Sequence, residues 1–130
     1  MTIFSRIVAG EVPCYKVAEN DKFFAFLDIN PLSKGHTLVI PKKEGDYIFE
    51  MEDSEYIEYT LFAKRVAMAL EKTIPCKRIG VAVLGLEVPH THIHLVPLNK
   101  ESDIYMSKGT IKLPDEEMRA IADQIASNMI

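Results

Sequence analysis

A chain of 130 residues with 48% hydrophobic and 26% charged side chains fits one soluble globular domain, residues 1–130, large enough for one core. Its net charge of −4 argues against broad electrostatic binding of nucleic acid, and no apolar run reaches the roughly 18 residues of a membrane helix. Cys14 and Cys76 share no motif spacing and read as reduced thiols. Residues 1–12 lack the pattern of a signal peptide, so the expected location is cytoplasmic.

In chain order, residues 14–18 form a short candidate strand, followed by a turn signal at Asn20 and Asp21. Residues 23–27 are a strongly apolar second strand. Residues 28–35, with Asn30, Pro31 and Gly35, make a loop. Residues 36–40 form a third strand that Pro41 stops. A helix capped by Asp53 or Ser54 follows, with Tyr56, Tyr59, Ala63, Val66, Ala67 and Leu70 on one apolar face. Pro75 ends that segment. Residues 79–84 and 91–96 supply the fourth and fifth strands. Pro114 then opens a last helix, whose inward stripe is Met118, Ile121, Ala122, Ile125 and Met129. This order predicts an α+β fold, a mainly antiparallel five-stranded sheet with two helices.

Three of the four histidines fall at positions 90, 92 and 94. Strand side chains alternate faces, so His90, His92 and His94 line one face, while Thr91, Ile93 and Leu95 line the other. Three imidazoles in strict alternation are costly to bury for packing alone. A histidine row suits a metal, with Glu87 or Asp28 as an added carboxylate, since neutral imidazole is a common metal ligand. It equally suits phosphate chemistry, because imidazole is a nucleophile near neutral pH and its N–H groups bind phosphate oxygens. Spacing leaves both readings open.

The run PHTHIHLVP, residues 89–97, resembles the alternating His signature of the histidine triad (HIT) superfamily, with Thr91 where a hydrophobic residue is more usual. Residues 3–13, 24–31 and 35–42 resemble, in the same order, the family's opening segment and its two nucleoside-contacting stretches. His36 falls on the family's additional active-site histidine. The resemblance implies a HIT-like fold that dimerises and cleaves nucleotides at the α-phosphate, without cofactor or metal. It implies that His92 attacks phosphorus to form a nucleotidyl-histidine, that His94 holds a phosphate oxygen, and that His90 and His36 complete the hydrogen-bonded row. Asp28 matches the ribose-binding acid, although a loop aspartate also caps turns. Phe26 and Ile29 match positions beside the base, although both also suit a core. Lys42 and Lys43 read as a solvated strand end.

One segment departs from the pattern. The family typically reads Gly-Gln-Ser/Thr-Val before the triad, and this chain has Gly85, Leu86, Glu87 and Val88. A carboxylate there disfavours a polyphosphate leaving group and suits a basic amine. The expected substrates are therefore purine nucleoside phosphoramidates or related nucleotidyl esters and anhydrides, with Glu87 on the leaving-group side. The alternatives are a nucleotide-binding module with little turnover and a metal-dependent hydrolase using the histidine row as ligands.

Overall fold

The structure, a computed structural model, describes residues 1–129. Its strands are β1 (Lys16–Glu19), β2 (Phe23–Leu27), β3 (Thr37–Pro41), β4 (Arg78–Ala82) and β5 (Ile93–Leu98). They form one antiparallel sheet in the order β1-β2-β3-β5-β4. The helices are α1 (Ile3–Val8), α2 (Asp53–Thr73) and α3 (Asp115–Ser127). The α+β fold and five antiparallel strands agree with the sequence expectation, but the described residues form three α-helices rather than two. The additional one, α1, has six residues, too few for an apolar period to register.

Outside β2, strand boundaries move by one to two residues from the expected ones. Pro41 closes β3 instead of standing outside it, opposite Phe23. Pro97 is inside β5, paired only with Ile79 of β4, because the β3 partners of β5 end at Leu95. A residue without an N–H is tolerated where one flank of the strand is unpaired.

β2 and β3 are buried on both faces, which explains their unbroken apolar runs FFAFL and TLVIP. One face carries Phe23, Ala25, Leu27 and Val39 into the main core under α2 and α3. The α2 face is Tyr59, Phe62, Ala63, Val66, Ala69 and Leu70. Tyr56 and Ala67, placed on this face by the sequence reading, are exposed and half-buried, and Phe62 takes the inward position against Phe23. Neither Asp53 nor Ser54 caps α2: Glu52 is the N-cap and makes no side-chain bond there. Asp53 and Glu55 lie in the first turn, where the helix dipole favours negative charge. The Tyr59 hydroxyl donates to the Val39 carbonyl at 2.6 Å and ties α2 to β3. On α3, Met118, Ile121, Ala122 and Ile125 are buried as expected.

The opposite face of β2 and β3 holds a second apolar cluster of Phe24, Phe26, Leu38 and Ile40, closed by Phe4 of α1. The histidines lie beside this second cluster.

Candidate active site

The 28–36 loop, the end of β3, the start of β5 and α1 converge on the four histidines. Of the triad only His94 is within β5; His90 and His92 precede it. The alternation still holds. Ile93 and Leu95 enter the main core and Thr91 donates to the Gly45 carbonyl, while the imidazoles face the other way. The ring centroids of His92 and His94 are 5.0 Å apart, and those of His94 and His36 are 5.2 Å apart. All four histidines are buried.

Main-chain groups fix which ring nitrogen carries each proton. The Leu32 N–H donates to His36 Nδ1 at 3.0 Å, so that nitrogen holds a lone pair and the neutral ring is protonated at Nε2. His36 Nε2–H then donates to His94 Nδ1 at 3.0 Å, which leaves the His94 proton on Nε2. His92 Nδ1 is 2.8 Å from the His90 carbonyl, which only accepts, so the lone pair of His92 is on Nε2. His90 Nε2–H donates to the Pro41 carbonyl at 2.7 Å, and His90 Nδ1 accepts from the Thr2 hydroxyl at 2.7 Å. The Nε2 atoms of His92 and His94 have no protein partner among the described residues, and neither is sealed from solvent. The site thus presents one lone pair beside one N–H donor.

Burial disfavours the charged forms of His36, His94 and His90. It lowers His36 to about 3 and His94 to about 4, with His94 and Lys108 adding to the first shift and His92 to the second. Burial also lowers His90, against the opposing bond to Pro41 and the charge of Glu44. Asp28 is raised by burial, opposed by the Asn30 N–H that its Oδ1 accepts at 2.9 Å. Its Oδ2 is 3.7 Å from His36 Nε2.

The structure therefore brings Asp28, His36, His90, His92 and His94 together. Phe26 is buried in the second cluster, edge-on to Phe4 at 5.7 Å. Ile29, in the Asp28 loop, is 69% exposed. Glu87 lies exposed in the connection before β5, with no hydrogen bond or ion pair among the described residues. Asp28, His36 and His94 bring ligand atoms within 4.8 Å of one another, a set other than the three-histidine row. Coordination at His36 Nε2 would require moving its proton and forfeiting the Leu32 bond, so the hydrogen bonds work against a metal here. The sequence reading missed Thr2 and Phe4. The N-cap preference of threonine was the available signal for Thr2, and an isolated Phe4 offered none.

An antiparallel sheet with paired imidazoles of opposite tautomer at its centre defines a class of small α+β domains suited to phosphate chemistry. The HIT domain pattern matches residues 9–101, and the chain belongs to the HIT family. A HIT-like protein of Borreliella burgdorferi is 35% identical over 98% of this chain and 97% of its own. The adenosine 5'-monophosphoramidase of Schizosaccharomyces pombe is 33% identical over 98% and 97%. The crystal structure of a HIT-like protein from Bartonella henselae superposes with a TM-score of 0.85, at 27% identity, over 98% of this chain and 96% of that one.

Proposed function

We propose that this protein is a nucleotidyl hydrolase that cleaves purine nucleoside phosphoramidates, and related nucleotidyl esters or anhydrides, at the α-phosphate. The observation that carries the reading is the His92 tautomer: Nδ1–H is committed to the His90 carbonyl, so Nε2 holds the lone pair. His92 Nε2 attacks phosphorus, the P–N bond to the leaving amine breaks, and the departing amine takes a proton from solvent, which the attacking water returns in the second step. Water then attacks the nucleotidyl-histidine, the bond to His92 breaks, and nucleoside monophosphate is released. Two easier displacements replace one difficult one. His94 Nε2–H donates to a non-bridging oxygen as negative charge grows there. His36 holds His94 in the donating tautomer, and His90 holds His92. Asp28 accepts from the ribose hydroxyls, and Phe26 and Ile29 border the base. Glu87 faces the leaving group. The similarity to the fission yeast phosphoramidase supports this substrate class.

The same reading takes residues 1–130 as one catalytic domain, acting in the cytoplasm as a homodimer without metal or cofactor. Cys14 and Cys76 are not bonded to one another. No helix among the described residues is long and apolar enough to cross a membrane. The dimer reading rests on β4, an edge strand with Val81 63% exposed and Leu84 beyond it exposed as well.

The test is His92→Ala. It should abolish turnover of an adenosine phosphoramidate while still binding adenosine monophosphate, and rapid-quench mass spectrometry of the parent should find a nucleotide-sized adduct. Turnover within about tenfold of the parent, some 1.4 kcal/mol of barrier, would remove His92 as nucleophile.

A further inference from the structure

The imidazole of His90 is fully buried and does not reach the open side of the site. Its role lies in its carbonyl oxygen, the acceptor that holds His92 Nδ1–H. Two bonds fix the His90 ring. Nε2–H donates to the Pro41 carbonyl, and the Nδ1 lone pair takes the Thr2 hydroxyl proton. A neutral imidazole has only one N–H, so Nδ1 must find a donor or remain a buried, unpaired acceptor.

Thr2 is itself held by its hydroxyl and by its main chain. Its hydroxyl oxygen accepts from the Ser5 N–H at 3.1 Å as the N-cap of α1. Its backbone N–H donates to Glu44 Oε2 at 2.8 Å, and the Ser5 hydroxyl donates to the same carboxylate oxygen. Phe4, two residues further along the chain, sets its ring edge-on against His92 with centroids 5.0 Å apart, and against His90 at 5.6 Å. Helix α1 is thus pinned to the segment carrying the nucleophile by one hydroxyl and one aromatic ring. The groups assigned to nucleotide binding, Asp28 and His94, connect instead through His36.

We propose that Thr2, anchored by Glu44, is a positioning residue for the nucleophile: its hydroxyl fixes the His90 ring, and the His90 carbonyl then fixes the attacking tautomer of His92. The inference rests on the assignment of His92 as nucleophile. It separates a hydroxyl that donates from one that merely caps α1.

Three variants of the full chain make that separation. Thr2→Ser keeps both capping and donation. Thr2→Asp keeps capping, since aspartate is at least as good an N-cap, but its carboxylate only accepts. Thr2→Val removes both. Each is measured for kcat on adenosine phosphoramidate, for Kd of adenosine monophosphate, and for the imidazole nitrogen resonances of histidine-labelled protein. Thr2→Val and Thr2→Asp should lower kcat by about tenfold or more, with Kd within about twofold of the parent. The His90 Nδ1 resonance should leave its lone-pair position in Thr2→Asp, where that nitrogen must be protonated. Thr2→Ser should restore both readouts. Full activity in Thr2→Asp would reduce Thr2 to a helix cap and overturn the proposal. So would a Thr2→Ser as impaired as Thr2→Val, or His90 and His92 resonances that do not respond to loss of the hydroxyl. The resonances require no turnover. A parent that hydrolyses nothing would sink the proposed function, and the spectra would still decide whether Thr2 holds His90.

Discussion

Replacing either His36 or His94 by glutamine should flatten the dependence of stability on pH. An unfolded histidine titrates near 6.5, whereas in the fold His36 is at about 3 and His94 at about 4. Between pH 7 and pH 5 the folded rings stay neutral, while the unfolded chain takes up about 0.7 proton at each. The unfolded state binds more protons, so stability falls as pH falls, and the loss is complete only below the folded values. Integrated from pH 7 to pH 5, each ring contributes a loss of about 2 kcal/mol, and the pair about 4 kcal/mol. That is a large share of the roughly 5–15 kcal/mol typical of a domain. His90, lowered by burial, acts in the same direction. Asp28 acts oppositely: its folded carboxyl is raised, takes its proton first on acidification, and offsets part of the loss. Urea unfolding at pH 7, 6 and 5, at one fixed protomer concentration, measures the effect. The parent should lose several kcal/mol across this range, and each single variant about half as much. Equal parent stability at pH 5 and pH 7, or an unchanged pH slope in both variants, would refute the neutral, buried His36 and His94 on which the donating tautomer of His94 depends.

Exhaustive dialysis against a chelator should leave turnover intact; loss of activity restored by added zinc would favour Asp28, His36 and His94 as ligands. Glu87→Ser should raise kcat/KM for dinucleoside polyphosphates relative to phosphoramidates by at least about tenfold, near 1.4 kcal/mol, at fixed ionic strength. An unchanged ratio would leave Glu87 without a role in selection. Light scattering at micromolar concentration should give twice the chain mass, and Val81→Lys on the exposed β4 edge should halve it; a monomeric parent contradicts the dimer. Gly35→Ala should cost about 2–4 kcal/mol in urea unfolding, because Gly35 has φ +92° and a Cβ there would stand 2.8 Å from Ile74 Cγ1. A cost under about 1 kcal/mol would mean the loop ahead of His36 relaxes freely.

The strands were legible wherever burial decided the sequence. Residues 23–27 are apolar at every position because both faces of β2 are covered, and the expected and observed bounds coincide. α3 was legible because its inward stripe is cleanly periodic. The α2 face was read less well: Phe62 lies inward against Phe23, while Tyr56 touches Phe49 near the surface. Periodicity fixes a stripe only to within a neighbouring row. α1 gave no periodic signal, yet it covers the outer face of the sheet and supplies Phe4 to the second apolar cluster.

The site divides along a similar line. Side-chain identity and period two were enough to gather His90, His92 and His94 on one face, and the family resemblance added His36 and Asp28. Neither could say which nitrogen of each ring holds a proton, and the chemistry turns on that. The deciding partners are the Leu32 N–H and the carbonyls of Pro41 and His90. These are main-chain groups, present at nearly every position and unmarked by residue type. They become specific only when the 28–36 loop, the end of β3 and the approach to β5 are folded against one another. A substitution that leaves all four histidines in place but shifts one of these backbone segments can therefore disable the nucleophile. Thr2 is where that dependence meets a replaceable side chain, because among the described residues its hydroxyl is the one side-chain group other than imidazole in the hydrogen bonds that fix the four rings.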